Sequence, residues 1–207
     1  MRPIGLIGLW CVLTSLSVVF TGCGRELART TPLDVGQTLH TDVALEDVER
    51  HGRSVEVDAL LGGATTVFYA WSVPCPCIAN AEARVQALLK EYEDVRMVAV
   101  AGEPQDTLEQ LREQKLRFGS PYQVLRDPQQ ELCRLLKMDS AALVTVFDAD
   151  RTLVYRGPLD EDFVDGKAEF LREVLDALAA GRPVPQSERP RTYGCLFNEP
   201  ESCGQPR

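Results

Sequence analysis

The chain has 207 residues, 44% of them hydrophobic and 26% charged, which is the balance of a globular protein with a sizeable core. Its 31 acidic residues outnumber 22 basic ones, giving a net charge of −9 with no basic block. That balance argues against nucleic acid or an anionic lipid surface as a partner and reads as solubility. The length fits one domain with tails.

The first residues, "MRPIGLIGLWCVLTSLSVVFTGCGRE", pair Arg2 with an uncharged apolar run from Ile4 to Phe20 and small residues just before Cys23. This is the pattern of a secretory signal, removed from the fold. It resembles a bacterial lipoprotein signal, although Phe20 stands where a leucine is usual. That resemblance implies that Cys23 is lipidated and begins the mature chain, and Gly24 after it leans towards outer-membrane sorting. The other reading is an uncleaved anchor, for which the run is short, since a span takes about 20 apolar residues. Either way the domain sits outside the cytoplasm, in the bacterial envelope and facing the periplasm, where disulfides persist. The expected organisation is a signal peptide over 1–22, a tether over 23–38, a domain over 39–182 and a proline-rich polar tail over 183–207.

In chain order, "VALEDVERHGRSVEVDALLGG" predicts two short strands around a His51-Gly52 turn. "TTVFYAW" predicts a strand, rich in β-branched and aromatic residues. Ile78, Ala81, Val85, Leu88, Leu89 and Tyr92 recur at helical spacing, and "VRMVAVA" is a buried-type strand. Asp106 with Glu109 three residues on predicts a capped helix start, with the helix running to about Arg117. "YQVL" is a short strand. Asp127, Pro128 and Gln130 predict another helix start, with the proline at the first helical position. "ALVTVF" and "TLVYR" are strands joined by Asp148-Ala149-Asp150-Arg151, and Phe170, Leu171, Val174, Leu175 and Leu178 form a last helical stripe stopped by Gly181 and Pro183. This order predicts the α/β class, with a parallel portion covered by helices and an antiparallel pair at the end.

Of the seven cysteines, Cys11 lies in the signal and Cys23 follows it. Cys75, Cys77, Cys133, Cys195 and Cys203 remain, an odd number, so at least one is free or pairs with another molecule. Cys75 and Cys77 flank Pro76 between the end of a central strand and the start of a helix, a place where α/β sheets tend to carry chemistry. The partial positive charge and unpaired N–H groups of a helix N-terminus lower a thiol pKa there. Three readings stay open for the pair: a structural disulfide, a Cu(I) clip of two soft thiolates, and a redox dithiol. A Cys-x-Cys ring is very small, which suits reducible chemistry better than stapling. His40 and His51 both precede the pair, which weakens the metal reading. Cys133 sits among leucines and reads as a small buried hydrophobe. Cys195 and Cys203 either staple the tail to itself, or Cys195 resolves a sulfenic acid or mixed disulfide on Cys75. Trp71 reads as core, and Asp160, Glu161 and Asp162 as a solvated loop.

From about Val35 to Cys195 the sequence resembles the thioredoxin-like superfamily, and within it redoxin domains of the alkyl hydroperoxide reductase/thiol-specific antioxidant kind. "CPCIANAEARV" resembles their cysteine-proline nucleophile and helix. "YQVLRDPQQELCRLL" is similar to their strand, aspartate-proline and helix, and "FDADRTLVYRGPLDEDF" to their closing hairpin. "LDALAAGRPVP…YGC" resembles their last helix and a later Gly-Cys. The resemblance implies a thioredoxin-like fold, a central mixed sheet flanked by helices. It implies thiol–disulfide exchange or peroxide reduction at Cys75 and Cys77, with Ser72 three residues before the nucleophile. It further implies no cofactor, and protein thiols, disulfides or small peroxides as partners. The departures are specific. The spacing is Cys-Pro-Cys rather than Cys-x-x-Cys. Ala142 stands where thioredoxins have a cis-proline. Phe68 stands where peroxidases of this kind have a proline, and no arginine near Ala142 completes their set. The alternative from another class is a binding module or Cu(I) carrier using the same two thiolates.

Overall fold

The structure, a computed structural model, describes residues 31–162 and 169–200. Its centre is a seven-stranded sheet of β1 (Ala44–Asp47), β2 (Arg53–Glu56), β3 (Thr66–Trp71), β4 (Arg96–Ala101), β5 (Gln123–Arg126), β6 (Leu143–Phe147) and β7 (Leu153–Pro158). The spatial order is β2-β1-β5-β4-β3-β6-β7. β3, β4 and β5 run parallel, and the outer pairs are antiparallel. Among the described residues four α-helices complete it: α1 (Pro76–Leu89), α2 (Leu108–Phe118), α3 (Glu131–Leu135) and α4 (Phe170–Ala179). The expected α/β class, a mixed sheet flanked by helices, is the class observed.

Strand alternation divides the interior into two cores. Val67, Tyr69 and Trp71 of β3 face one side, with Ile78, Ala81 and Val85 of α1 and Leu171, Val174 and Leu175 of α4. Phe68 and Ala70 face the other, with Leu132 and Leu135 of α3 and the chain before β3. Every residue of β3 is buried, so it is the central strand, and burying each large side chain contributes about 1.5–3 kcal/mol. Trp71 is core, as its sequence context predicts. The first core also holds a satisfied polar knot. The buried carboxylate of Glu82 accepts from the Ser120 hydroxyl and the Tyr122 hydroxyl, each at 2.6 Å.

Two helix starts differ from the sequence expectation. The cap of α2 is Thr107, whose hydroxyl accepts from the Gln110 N–H while the Gln110 side chain accepts from the Thr107 N–H. Asp106 is one residue too early for that box, and its side chain is buried and used elsewhere. α3 begins at Glu131, not at Pro128, because Gln130 takes a left-handed conformation with φ of +54°. Asp127 still serves the helix, accepting from the N–H groups of Glu131 and Cys133 at 2.8 and 2.9 Å.

Residues 182–200 pack against the domain. They run back across the sheet, with the Arg156 N–H donating to Ser187 and the Arg189 N–H donating to Arg156, both at 2.9 Å. The Arg189 guanidinium stacks over Phe170 and pairs with Glu173. This path brings Tyr193 to the Asp160 N–H. Asp160 is also a correction to the sequence reading: it is 2% exposed and ion-paired with Arg84, not part of a solvated loop. The signal, the tether up to residue 30, Cys23 and Cys203 lie outside the described residues.

Candidate functional site

β3 ends at Trp71, and the next four residues carry the chain to α1. Cys75 is the N-cap of α1 and Pro76 opens the helix, where its missing N–H removes no bond. Cys77 lies in the first turn. Cys75 and Cys77 are joined in a disulfide. The pair therefore sits at the C-terminal end of a buried parallel strand and the positive end of a helix of 14 residues.

The turn between strand and helix is held from outside. The Ser72 carbonyl accepts from the Cys75 N–H at 3.4 Å and from the Gln114 side-chain amide at 3.5 Å. The Val73 N–H donates to the Asp106 carboxylate at 2.9 Å. Asp106 is thus a residue that sequence pattern assigns to a helix cap but that supports the cysteine loop. Burial pushes its carboxyl up to about 6, with Glu103 nearby adding to the rise and the Val73 N–H opposing it. Ser72 is buried in this same loop.

The opposing wall is the segment Asp139–Ala142, leading into β6. Ala142 stands at the position where thioredoxins have their proline, and it takes a φ of +67°. Its N–H donates to Ala70 of β3 at 2.9 Å, fixing the wall to the central strand. The returning chain pairs with this wall. Ser140 and Leu196 form an antiparallel bridge, the Ala141 N–H donates to the Cys195 carbonyl, and the Phe197 N–H donates to Asp139, the last two at 3.0 Å. The clasp is locked at both ends. Gly194 has a φ of +113°, and a Cβ there would lie 2.2 Å from the Ala141 carbonyl oxygen, so only glycine fits. Beyond it, Asn198 donates to Glu103 through its N–H and side-chain amide, and Gln130 donates to the Asn198 carbonyl at 2.6 Å. A Cβ on Gly102 would meet the Phe197 ring at 2.5 Å.

The consequence is a cluster of three sulfurs. The Sγ atoms of Cys75, Cys77 and Cys195 all lie within 4.8 Å of one another. Cys195 is a free thiol, and partial burial raises its pKa. Cys75 and Cys77 are 3% and 5% exposed, so neither opens freely to solvent. No histidine joins the cluster. His51 sits in the turn between β1 and β2 near the sheet edge, and His40 faces Asp58. Cys133 is buried beside Asp127, and that burial, with the carboxylate adding to it, drives its thiol pKa well up. Phe68, at the position of the peroxidase proline, is fully buried core.

No protein-family model matches this sequence, and no curated protein matches it. Solved structures do. An uncharacterized conserved protein from Geobacillus kaustophilus is 27% identical and superposes with a TM-score of 0.71 over 82% of this chain and 94% of its own. A hypothetical protein from Sinorhizobium meliloti 1021 gives 20% identity and a TM-score of 0.69 over 84% and 98%. An uncharacterized thioredoxin-like protein from Porphyromonas gingivalis gives 21% and 0.55 over 72% and 97%. The chain has the thioredoxin-like fold.

The support of the cysteine loop by Asp106 has a pH signature. Its carboxyl is held up to about 6 in the fold against an ordinary 3.8, so the folded state prefers the protonated form. The contribution to stability is therefore full below about 4 and is lost as pH rises through about 6. Asp106→Asn keeps an oxygen acceptor for Val73 and should match the parent near pH 4 but exceed it at pH 7. Asp106→Ala leaves the Val73 N–H unpaired at a cost of roughly 1–3 kcal/mol. Urea midpoints across this range check both, and a parent whose advantage grows with pH contradicts the assignment.

Proposed function

We propose that the protein is a thiol–disulfide oxidoreductase of the redoxin type, working through Cys75 and Cys77. The observation that carries this reading is a Cys75–Cys77 disulfide at the N-terminus of α1, after the central strand, with a free thiol held within 4.8 Å of it. In the reduced protein the Cys75 thiolate attacks a substrate disulfide, forming a mixed disulfide and releasing one substrate thiolate. Cys77 then attacks the Cys75 sulfur, releases the second substrate thiolate and leaves the Cys75–Cys77 disulfide. Two electrons pass from protein to substrate, and the reverse sequence oxidises a substrate dithiol. Protein thiols and disulfides are the proposed partners, and the sequence needs no cofactor.

Cys75 is assigned the attack because it is the N-cap, where the helix field is strongest and fades within a turn. Ser72, in the same loop, is assigned a hydrogen bond to that thiolate. Cys195 stands ready to open a mixed disulfide on Cys75 as a second resolving thiol. The same pair would close a sulfenic acid left by a peroxide, releasing water. The missing proline and arginine of the peroxidase set favour exchange over that use. The second reading, a binding module or Cu(I) carrier, is favoured by one observation, the all-sulfur cluster itself.

The location proposed is the envelope, with the domain facing the periplasm and a lipid on Cys23, on the strength of "FTGC" after an uncharged run. A Cys23→Ser chain is expected to lose acylation and membrane partition. Recovery of that variant as a processed, acylated membrane protein would contradict the anchor.

The order of attack is tested with single variants. Cys75→Ser should abolish disulfide exchange with a model protein substrate. Cys77→Ser should accumulate a mixed disulfide, with substrate or with Cys195, resolved by mass spectrometry. In the same experiment Cys133 should resist alkylation until the chain is unfolded. Equal loss of the first step in both variants, or faster alkylation of Cys77 than Cys75 across pH, would reverse the assignment.

A further inference from the structure

We propose that, once the Cys75–Cys77 bond is reduced, Cys75, Cys77 and Cys195 together form a three-sulfur binding site for a soft monovalent metal ion, Cu(I). This inference deepens the second reading, the Cu(I) carrier, by naming the third ligand, and it rests on the cluster geometry and not on the exchange reading.

The three Sγ atoms already lie within 4.8 Å of one another in the oxidised protein. A thiolate sulfur sits about 2.3 Å from a first-row ion such as zinc, so three sulfurs in a plane around such an ion stand about 4.0 Å apart. Reaching that triangle requires the Cys75 and Cys77 sulfurs to part from their bond and little else. Cys75 and Cys77 come from one helix start, while Cys195 is presented by the clasp on Asp139–Ala141. Gly194 and Asn198 fix that clasp on either side. The third ligand is therefore positioned by the fold before any ion arrives.

The donor set selects the metal. It is sulfur only, and no histidine or carboxylate joins the group among the described residues. A structural zinc site is closed by four ligands, whereas soft thiolates suit Cu(I). The surroundings are apolar: Trp71, Ile78, Ala141 and Ala142 share the core with the two paired cysteines. Three thiolates around one Cu(I) carry net negative charge, and the N-terminus of α1 directly beneath them favours it.

The redox balance is closed by a dithiol reductant. It passes two electrons to the Cys75–Cys77 bond, becomes a disulfide itself, and leaves two thiols on the protein. Cu(I) then displaces the thiol protons to solvent as the metal–sulfur bonds form. The oxidised protein lacks two of the three ligands, so binding is set by the redox state of the pair.

The test titrates Cu(I), buffered by a coloured chelator, into the full chain before and after dithiol reduction without oxygen. X-ray absorption counts the sulfur neighbours. The reduced chain should take one Cu(I) with three sulfurs and the oxidised chain none. Outer-shell partners of a metal are worth roughly 10–100-fold in affinity, so loss of a ligand in Cys195→Ser should cost at least about tenfold and leave two sulfurs. Cys133→Ser and Cys203→Ser should change neither number. Two sulfurs in the parent chain, unchanged affinity in Cys195→Ser, or Zn(II) displacing Cu(I) would each overturn the proposal. Disulfide exchange measured on the same samples separates the two readings, since a chain that exchanges but binds no Cu(I) refutes only this one.

Discussion

The site depends on one backbone clasp. The segment Cys195–Phe197 lies antiparallel to Asp139–Ala141, through the Ala141 N–H to the Cys195 carbonyl and the Phe197 N–H to Asp139. Two backbone bonds of this kind are each worth only about 1 kcal/mol net. They hold because the approach is sterically prepared. Gly194 removes a Cβ that would meet the Ala141 carbonyl, and Gly102 makes room for the Phe197 ring. The charged and amide bonds among Glu103, Gln130 and Asn198 then secure the far side. With this clasp in place, the cysteine pair is buried and a third sulfur is brought alongside.

The scaffold beneath the clasp explains why the pair is placed where it is. β3 is buried on both faces, so its end is fixed by two cores. The strand hands the chain to α1 through a turn whose free N–H at Val73 is taken by Asp106. A helix that starts at Cys75-Pro76 brings its unpaired N–H groups to the sulfurs. Support thus reaches the cysteines from three directions: the strand, the helix that bears them, and the loop before α2.

Much of this was legible in the sequence. β-branched and aromatic runs marked the strands, and the i, i+3, i+4 stripe of α1 marked its buried face. Cys75 as N-cap followed from Pro76. The α2 start was misplaced by one residue because Asp106-Thr107 offers two capping oxygens and Glu109-Gln110 two partners. Only the tertiary demand of Val73 decides which aspartate oxygen is spent elsewhere. Pro128 misled in a similar way, since the left-handed Gln130 delays α3. Composition marks the tail only as polar and proline-rich. Its docking rests on pairings to residues far away in sequence, such as Asn198 with Glu103, which carry no local signature. The Gly194-Cys195 pair was the one visible hint, and its meaning needed the Ala141 carbonyl opposite.

Under the proposed function the Cys75–Cys77 bond is exchangeable in the folded protein and is not a staple. Equilibrating the native chain in thiol–disulfide buffers of graded potential, trapping by acid, and counting free thiols by mass tests it directly. One reversible two-electron step is expected for this pair, within the range of roughly −120 to −270 mV spanned by exchange proteins, with the fold intact on both sides. A pair that stays oxidised below about −300 mV, as structural disulfides do, or a chain that unfolds when the bond is reduced, would contradict it.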